Sequence, residues 1–151
     1  MGACGFNEDR RISFGRPAFC FEVLVLEQAG EERALRSRRC ERVSDAIVAC
    51  TTPDMFTTPR TQQGFARVRD RVRLVRWGGD CYAYCLLAMG LIDVVVESSL
   101  QAWDVQALIP IVEAAGGRVT NWQGGPCNEG GPVLACGDPA LHKTLIRRLT
   151  D

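Results

Sequence analysis

The segment LQAWDVQALIPIVEAAGG, Leu100 to Gly117, is the most informative part of the sequence. It predicts a helix that begins at Asp104 and runs to about residue 115, because a glycine pair at 116 and 117 is typical of a helix end. Asp is a preferred N-cap residue, and its charge suits the positive end of the helix dipole. The residues alone therefore favour a helix cap over a metal ligand as the role of Asp104. Trp103 is then expected to pack beside the cap. Pro110 lies inside the predicted helix, where its missing N–H requires a kink.

The composition is that of an ordinary globular chain. Its 151 residues are enough for one domain with its own core. Lys plus Arg and Asp plus Glu number 18 each, so no net charge favours nucleic acid or an anionic membrane as a partner. The apolar runs are shorter than the roughly 18 residues of a membrane span, and no signal-peptide pattern appears. We therefore expect a cytoplasmic protein with no membrane or nucleic-acid partner.

The cysteines are predicted to be buried or incidental free thiols. There are eight of them, but disulfide frameworks belong to short secreted chains. The chain has no Cys-x-x-Cys pair and a single histidine, His142, so a zinc site is poorly supported.

Strands and helices alternate along most of the chain. The segments that read as strands are FCFEVLVLE (19–27), AIVAC (46–50), VRLVRW (72–77), IDVVVE (92–97), a short strand within 116–126, and PVLACG (132–137). The segments that read as helices are 63–71, 81–90, 104–115 and 138–149, the last with Asp138 as its cap and Pro139 in its first turn. This order predicts an α/β fold, a layered mixed sheet flanked by helices.

Several polar residues fall where strands end or helices begin, which is where an open α/β sheet binds its ligands. They are Thr51, Thr52, Gly79, Asp80, Glu97 and Asp104. A helix start favours an anion such as phosphate. The three acids would repel a phosphate, so a phosphate ligand at this place implies a divalent cation as well.

Two segments form one pattern, in which Trp-Asp follows Gly90, Asp93 and Glu97 in register: WGGDCYAYCLLAMGLIDVVVE and LQAWDVQALIPIVEAAGGRVTNWQGG. They resemble the C-terminal half of the magnesium-dependent inositol monophosphatase superfamily. GGDCYAY and TTPDMF are most similar to the histidinol-phosphatase branch. The resemblance divides the chain into a poorly matched segment with one strand, 1–33, and a C-terminal inositol-monophosphatase-like α/β domain, 34–151.

The resemblance implies Mg²⁺-dependent hydrolysis of a small phosphorylated alcohol, with histidinol phosphate preferred over inositol phosphates. It implies that Asp104 is a catalytic metal ligand and that Glu97 contacts the alcohol part of the substrate. Asp80, next to Gly79, is implied to recognise a substrate amine.

The alternative interpretation gives these residues structural roles only. Glu97 is then a strand-end residue and Asp80 a plain N-cap. Thr51 and Thr52 match a hydroxyl lining of the site but equally suit a turn. Cys81, Tyr82 and Tyr84 are expected to pack rather than to take part in chemistry.

The family's other metal ligands, an upstream glutamate and an Asp-Pro-x-Asp-Gly-Thr motif, are not found in order. Gly30-Glu31-Glu32 fits a surface hairpin better, and Asp138-Pro139 begins the last helix. We expect a C-terminal fragment that is inactive alone, because magnesium needs several oxygen ligands. An uncovered apolar seam should then favour a homodimer. The competing hypothesis is a non-catalytic α/β interaction module.

Overall fold

The structure, a computed structural model, describes the backbone of residues 5–6, 10–15, 23–28 and 31–151 and the side chains of residues 33–151. The strands are β1 Gly5–Phe6, β2 Arg10–Gly15, β3 Val23–Gln28, β4 Glu31–Ala34, β5 Ile47–Cys50, β6 Leu74–Trp77, β7 Val94–Gln101, β8 Arg118–Asn121 and β9 Gly130–Cys136. The helices are α1 Pro59–Arg69, α2 Asp80–Ala88, α3 Ala102–Val105, α4 Leu108–Ala114 and α5 Pro139–Thr150.

Strands β5 to β9 form one mixed sheet in the order β6-β5-β7-β9-β8. Strand β5 lies between β6 and β7 and is parallel to both, whereas β9 is antiparallel to β7 and β8. The carboxyl ends of three parallel strands therefore meet at one edge of the sheet. This mixed sheet confirms the fold class that the sequence predicts.

Helices cover both faces of this sheet, because alternate strand residues point to opposite sides. Val94 and Val96 of β7 are buried in the apolar cluster that includes residues of α1 and α5. Val95 is buried in the other cluster, with residues of α2 and α4. Since Glu97 follows Val95 by two positions, it lies on the face that α2 and α4 cover.

The first part of the chain contains more strand than the sequence predicts. A single strand was expected within residues 1–33, but β1, β2, β3 and β4 form a four-stranded antiparallel sheet. Pairing of Gln28 with Glu31 confirms the expected hairpin at this point. Residues 19–22 of the predicted first strand, together with Cys4 and Cys20, lie outside the described residues. The division at residue 33 stays a prediction.

The predicted helix 104–115 is wrong in its details, because the structure has two short helices there. Gln101, not Asp104, is at the N-cap of α3. Asp104 is the third residue of α3, and its Oδ2 accepts the Gln101 N–H at 2.8 Å. The break between α3 and α4 places Pro110 in the first turn of α4, where a missing N–H costs little.

Two other predictions are confirmed within residues 33–151. Asp138 caps α5, accepting the Ala140 N–H at 2.8 Å. Buried free thiols are found at Cys40, Cys50, Cys127 and Cys136, whereas Cys81 is exposed. No helix in the described part of the chain has the length and apolar character that a membrane crossing requires.

Candidate active site

A cleft of about 340 Å³ opens beyond the carboxyl ends of β5 and β7. The first turns of α2, the end of β7, and helices α3 and α4 form its walls. Its lining residues are Asp80, Cys81, Tyr84, Glu97, Leu100, Trp103, Asp104, Ala107, Leu108 and Ile111. The structure thus brings together the three acids that the sequence singles out, and among the side chains of residues 33–151 no Lys or Arg lines the cleft.

Glu97 is the buried acid of this cleft, with 2% of its surface exposed. Its Oε1 accepts a hydrogen bond from the Thr51 hydroxyl at 2.5 Å, and its Oε2 accepts one from the Tyr84 hydroxyl at 2.8 Å. Burial raises the pKa of the Glu97 carboxyl, the two hydroxyl donors oppose that rise, and the charge of Asp80 adds to it. The prediction that Glu97 ends its strand is wrong, because β7 continues past an irregularity between Glu97 and Leu100.

Asp80 is exposed at the start of α2. Gly79 is at the N-cap, so the alternative of Asp80 as a plain N-cap is wrong. Asp80 has a φ of 46°, a left-handed conformation that costs a non-glycine residue about 1 kcal/mol. A Cβ at Gly79 would lie 2.9 Å from that of Ala83, so a side chain there would displace the first turn. The local backbone therefore accepts strain where it turns Asp80 towards the cleft.

Asp104 lies across the cleft as an exposed carboxylate. One oxygen accepts the Gln101 N–H, so Asp104 stabilises the start of α3 while the rest of its acceptor capacity remains for a ligand. A carboxylate oxygen is a suitable Mg²⁺ ligand, but magnesium requires near-octahedral oxygen coordination. Residues 33–151 contain no group of three or more side chains placed to hold a metal ion. Asp104 therefore fits as one ligand of a magnesium site that the described side chains leave incomplete.

Thr51 and Thr52 have different structural roles. Thr51 belongs to the site through its hydrogen bond to Glu97. Thr52 caps the 3-10 turn Pro53–Met55, where its hydroxyl accepts the Asp54 N–H at 3.3 Å, and it does not line the cleft. The turn alternative thus describes Thr52 and not Thr51.

The sequence missed the polar role of Tyr84 and the exposure of Trp103. Tyr84 is buried, as packing requires, but its hydroxyl also donates to Glu97. Its position four residues after Asp80 on one helix face was the available signal. Trp103 is 76% exposed, so the prediction that it packs beside a cap is wrong.

Asp93, part of the pattern that carries the resemblance, lies away from the cleft. It is 1% exposed and forms a bidentate ion pair with Arg38, with N–O distances of 2.6 and 2.7 Å. It also accepts the Ile47 N–H at 2.7 Å. Asp93 therefore ties the segment before β5 to β7 and has a structural role.

α/β proteins commonly bind small ligands in a cleft at the carboxyl edge of the sheet, which is where this acidic cleft lies. The Inositol monophosphatase family profile matches residues 11–151. The chain belongs to the inositol monophosphatase family, whose members and characterised relatives are phosphatases.

Three relatives illustrate the similarity. The chain is 36% identical to the chloroplastic bifunctional phosphatase IMPL2 of Arabidopsis thaliana, over 80% of this chain and 36% of that protein. It is 36% identical to the histidinol-phosphatase of Mycobacterium tuberculosis, over 62% of this chain and 36% of that protein. An inositol monophosphatase structure from Zymomonas mobilis superposes with a TM-score of 0.74 at 34% identity, covering 85% of this chain and 53% of the other. The chain thus spans only about a third to a half of these relatives.

Proposed function

We propose that this chain contributes the substrate-binding half of a Mg²⁺-dependent phosphomonoesterase whose substrate is a phosphate ester bearing an amine. The observation that carries the proposal is the pairing of a buried acid, Glu97, with Asp80 in one cleft to which the described side chains contribute no Lys or Arg. A neutral polyol does not compensate two adjacent negative charges, whereas an ammonium group does. The similarity to histidinol-phosphatases supports histidinol phosphate over inositol phosphates.

The residues of the cleft have different proposed roles in substrate and metal binding. Glu97 and Asp80 bind the cationic part of the alcohol, and the apolar wall of Leu100, Leu108 and Ile111 excludes water beside it. Asp104 supplies one carboxylate to the magnesium site. When bound, magnesium polarises the phosphate ester and stabilises the departing alkoxide. Because the described side chains supply too few metal ligands, we expect little turnover by this chain alone.

A chimera tests the proposal. The chain replaces the matching segment of the Mycobacterium tuberculosis histidinol-phosphatase, and phosphate release is measured with histidinol phosphate and with inositol 1-phosphate. We expect Mg²⁺-dependent turnover with kcat/KM at least about tenfold higher for histidinol phosphate. Asp104→Asn should lower kcat more than about 100-fold, since it removes a direct metal ligand.

Asp45→Asn is the matched control, because this carboxylate is 63% exposed and lies outside the cleft. It should leave both rates unchanged. A chimera that prefers inositol 1-phosphate would overturn the substrate class. Full turnover in Asp104→Asn would overturn the metal role of Asp104.

A further inference from the structure

We propose that Thr51 and Tyr84 are positioning residues that hold the Glu97 carboxylate in one orientation and so make the cleft select an ammonium group over a hydroxyl. This inference rests on the proposed function and deepens it. It concerns two hydroxyl groups to which the proposed reaction assigns no step.

The two hydroxyls hold Glu97 from different elements. Thr51 follows β5 and donates to Oε1 at 2.5 Å, while Tyr84 of α2 donates to Oε2 at 2.8 Å. Both carboxylate oxygens are therefore anchored, and the β7 backbone provides a third fixed point. A carboxylate restrained at both oxygens cannot rotate to follow a differently placed donor, so the direction of its remaining lone pairs is set in advance.

The donor count favours the charged form of Glu97. Each hydroxyl has one hydrogen, and both hydrogens are donated to this carboxylate. A group that already receives two hydrogen bonds is an acceptor-only carboxylate, which binds a charged N–H donor more strongly than a neutral one. Tyr84 remains a donor, since burial raises its pKa well above the ordinary value.

Packing alone does not account for the Tyr84 hydroxyl. Tyr84 is 1% exposed and belongs to the apolar cluster around α2 and α4, where phenylalanine would fill nearly the same volume. A buried hydroxyl costs free energy unless it is hydrogen-bonded, and among the described residues its partner is Glu97.

Among residues 33–151, the charged side chains that line the cleft with Glu97 are acidic. The charge of Asp80 on α2 adds to the rise that burial causes in the pKa of Glu97, and burial together with the charge of Glu97 raises the pKa of the Cys50 thiol on β5. Asp104 on α3 lines the same cleft. An ammonium group bound here would interact with several negative charges of the protein, whereas a hydroxyl would gain little from them.

The test compares two ligands that differ only in the amine. Binding of histidinol and of 3-(imidazol-4-yl)propan-1-ol to the whole chain is measured by NMR titration at neutral pH with magnesium present. We expect tighter binding of histidinol to the unmodified chain. Tyr84→Phe and Thr51→Val should each weaken histidinol binding about tenfold and change the binding of the amine-free ligand little.

A double-mutant cycle separates positioning from packing. If Tyr84 acts through Glu97, adding Tyr84→Phe to Glu97→Gln should cause no further loss of histidinol affinity. Tyr82→Phe is the matched control, since Tyr82 is 40% exposed and does not line the cleft. It should leave both affinities unchanged.

The outcomes are distinguishable. Equal or absent binding of the two ligands by the unmodified chain would overturn the proposed substrate class and this inference with it. If Tyr84→Phe and Thr51→Val both keep the preference for histidinol, the positioning role alone is overturned. Additive losses of histidinol affinity in the double-mutant cycle would overturn it as well.

Discussion

At the scale of single residues, Glu97 shows a conflict between binding and stability. Its carboxylate is held in a site that is 2% exposed, and burial is the largest influence on its pKa, which is raised. The two hydroxyl donors therefore compensate only part of the lost hydration. A buried acid that costs stability and lies in a cleft is typical of a functional site.

Glu97→Gln should stabilise the protein at neutral pH by about 1 kcal/mol, because it removes a buried charge and keeps hydrogen-bonding atoms. A carboxyl whose folded pKa is raised favours folding below the unfolded pKa, and this contribution is lost as pH rises through the folded pKa. The advantage of Glu97→Gln should therefore shrink as pH falls through the raised folded pKa towards the ordinary value of 4.5, and it should stay constant at lower pH. Urea unfolding across this range measures it.

Glu129→Gln is the control, since Glu129 is exposed and the same change there should leave stability nearly unaltered. If Glu97→Gln lowers stability at neutral pH, the hydrogen bonds from Thr51 and Tyr84 outweigh the cost of burying the charge.

At the scale of elements, Gly64 sets the approach of α1 to α5. A Cβ at this position would lie 2.7 Å from the Leu149 carbonyl oxygen and 2.8 Å from the Trp122 ring. The C-terminal end of α5 is also bound by Arg67 of α1, whose Nε donates to the Arg148 carbonyl at 2.7 Å. Gly64 therefore permits a close contact that any side chain would open.

Gly64→Ala should destabilise the protein, although alanine is the better helix former by about 1 kcal/mol. The steric overlap costs roughly 1–3 kcal/mol, so the net change should be a loss. Gln63→Ala on the exposed side of the same helix should show only the small propensity effect. If urea unfolding shows that Gly64→Ala is at least as stable as the unmodified chain, then α1 and α5 can move apart without a loss of stability.

His142 joins α5 to β8 through Thr120. The Thr120 hydroxyl donates to the Asn121 carbonyl at 2.7 Å, so its oxygen is the acceptor in the 2.9 Å contact with His142 Nε2, which therefore carries a proton. Burial lowers the pKa of His142 to about 4, with the charge of Arg118 as a second cause.

Because the folded protein resists protonation of His142, stability should fall as pH drops from 6.5 towards about 4. His142→Gln keeps a donor for Thr120 and does not titrate, so its stability should depend less on pH in this window. Thermal unfolding of both proteins at matched pH values measures the difference. Parallel curves would show that His142 protonates equally in the folded and unfolded states.

At the scale of the whole molecule, β6 is an edge strand of the five-stranded sheet. Leu74 and Trp77 of this strand are 39% and 45% exposed, and Tyr82 nearby in the chain is 40% exposed. Among the described strands β6 pairs on one side only, and an apolar edge strand of this kind is prone to pair with another chain. This exposed edge supports the expected homodimer. It is also the surface through which a non-catalytic interaction module would bind a partner.

Leu74→Lys should weaken self-association of the chain at least about tenfold, because a charge on an edge strand opposes strand pairing. Leu91→Lys is the control: Leu91 is 56% exposed but belongs to the turn between α2 and β7 and not to the edge strand. Analytical ultracentrifugation over a concentration series measures the association. A chain that is monomeric throughout, or equal effects of both changes, would refute pairing through β6.

Much of the fold was predictable from local pattern. Apolar β-branched runs such as 92–97 and the capped helix after Asp138 have periodicities that are read without tertiary information. The break between α3 and α4 was harder to predict, since local propensity around Asp104 favours one helix. Pro110 indicated an interruption but not its place.

Local pattern was sufficient to predict the alternation of strands and helices and the acids at their ends, because each depends on neighbours along the chain. It could not predict that Thr51 and Tyr84 share the Glu97 carboxylate, that Thr52 does not, and that Asp93 is buried against Arg38. These contacts join residues on different elements. Their partners are set by how β5, β7 and α2 pack, which no local pattern specifies.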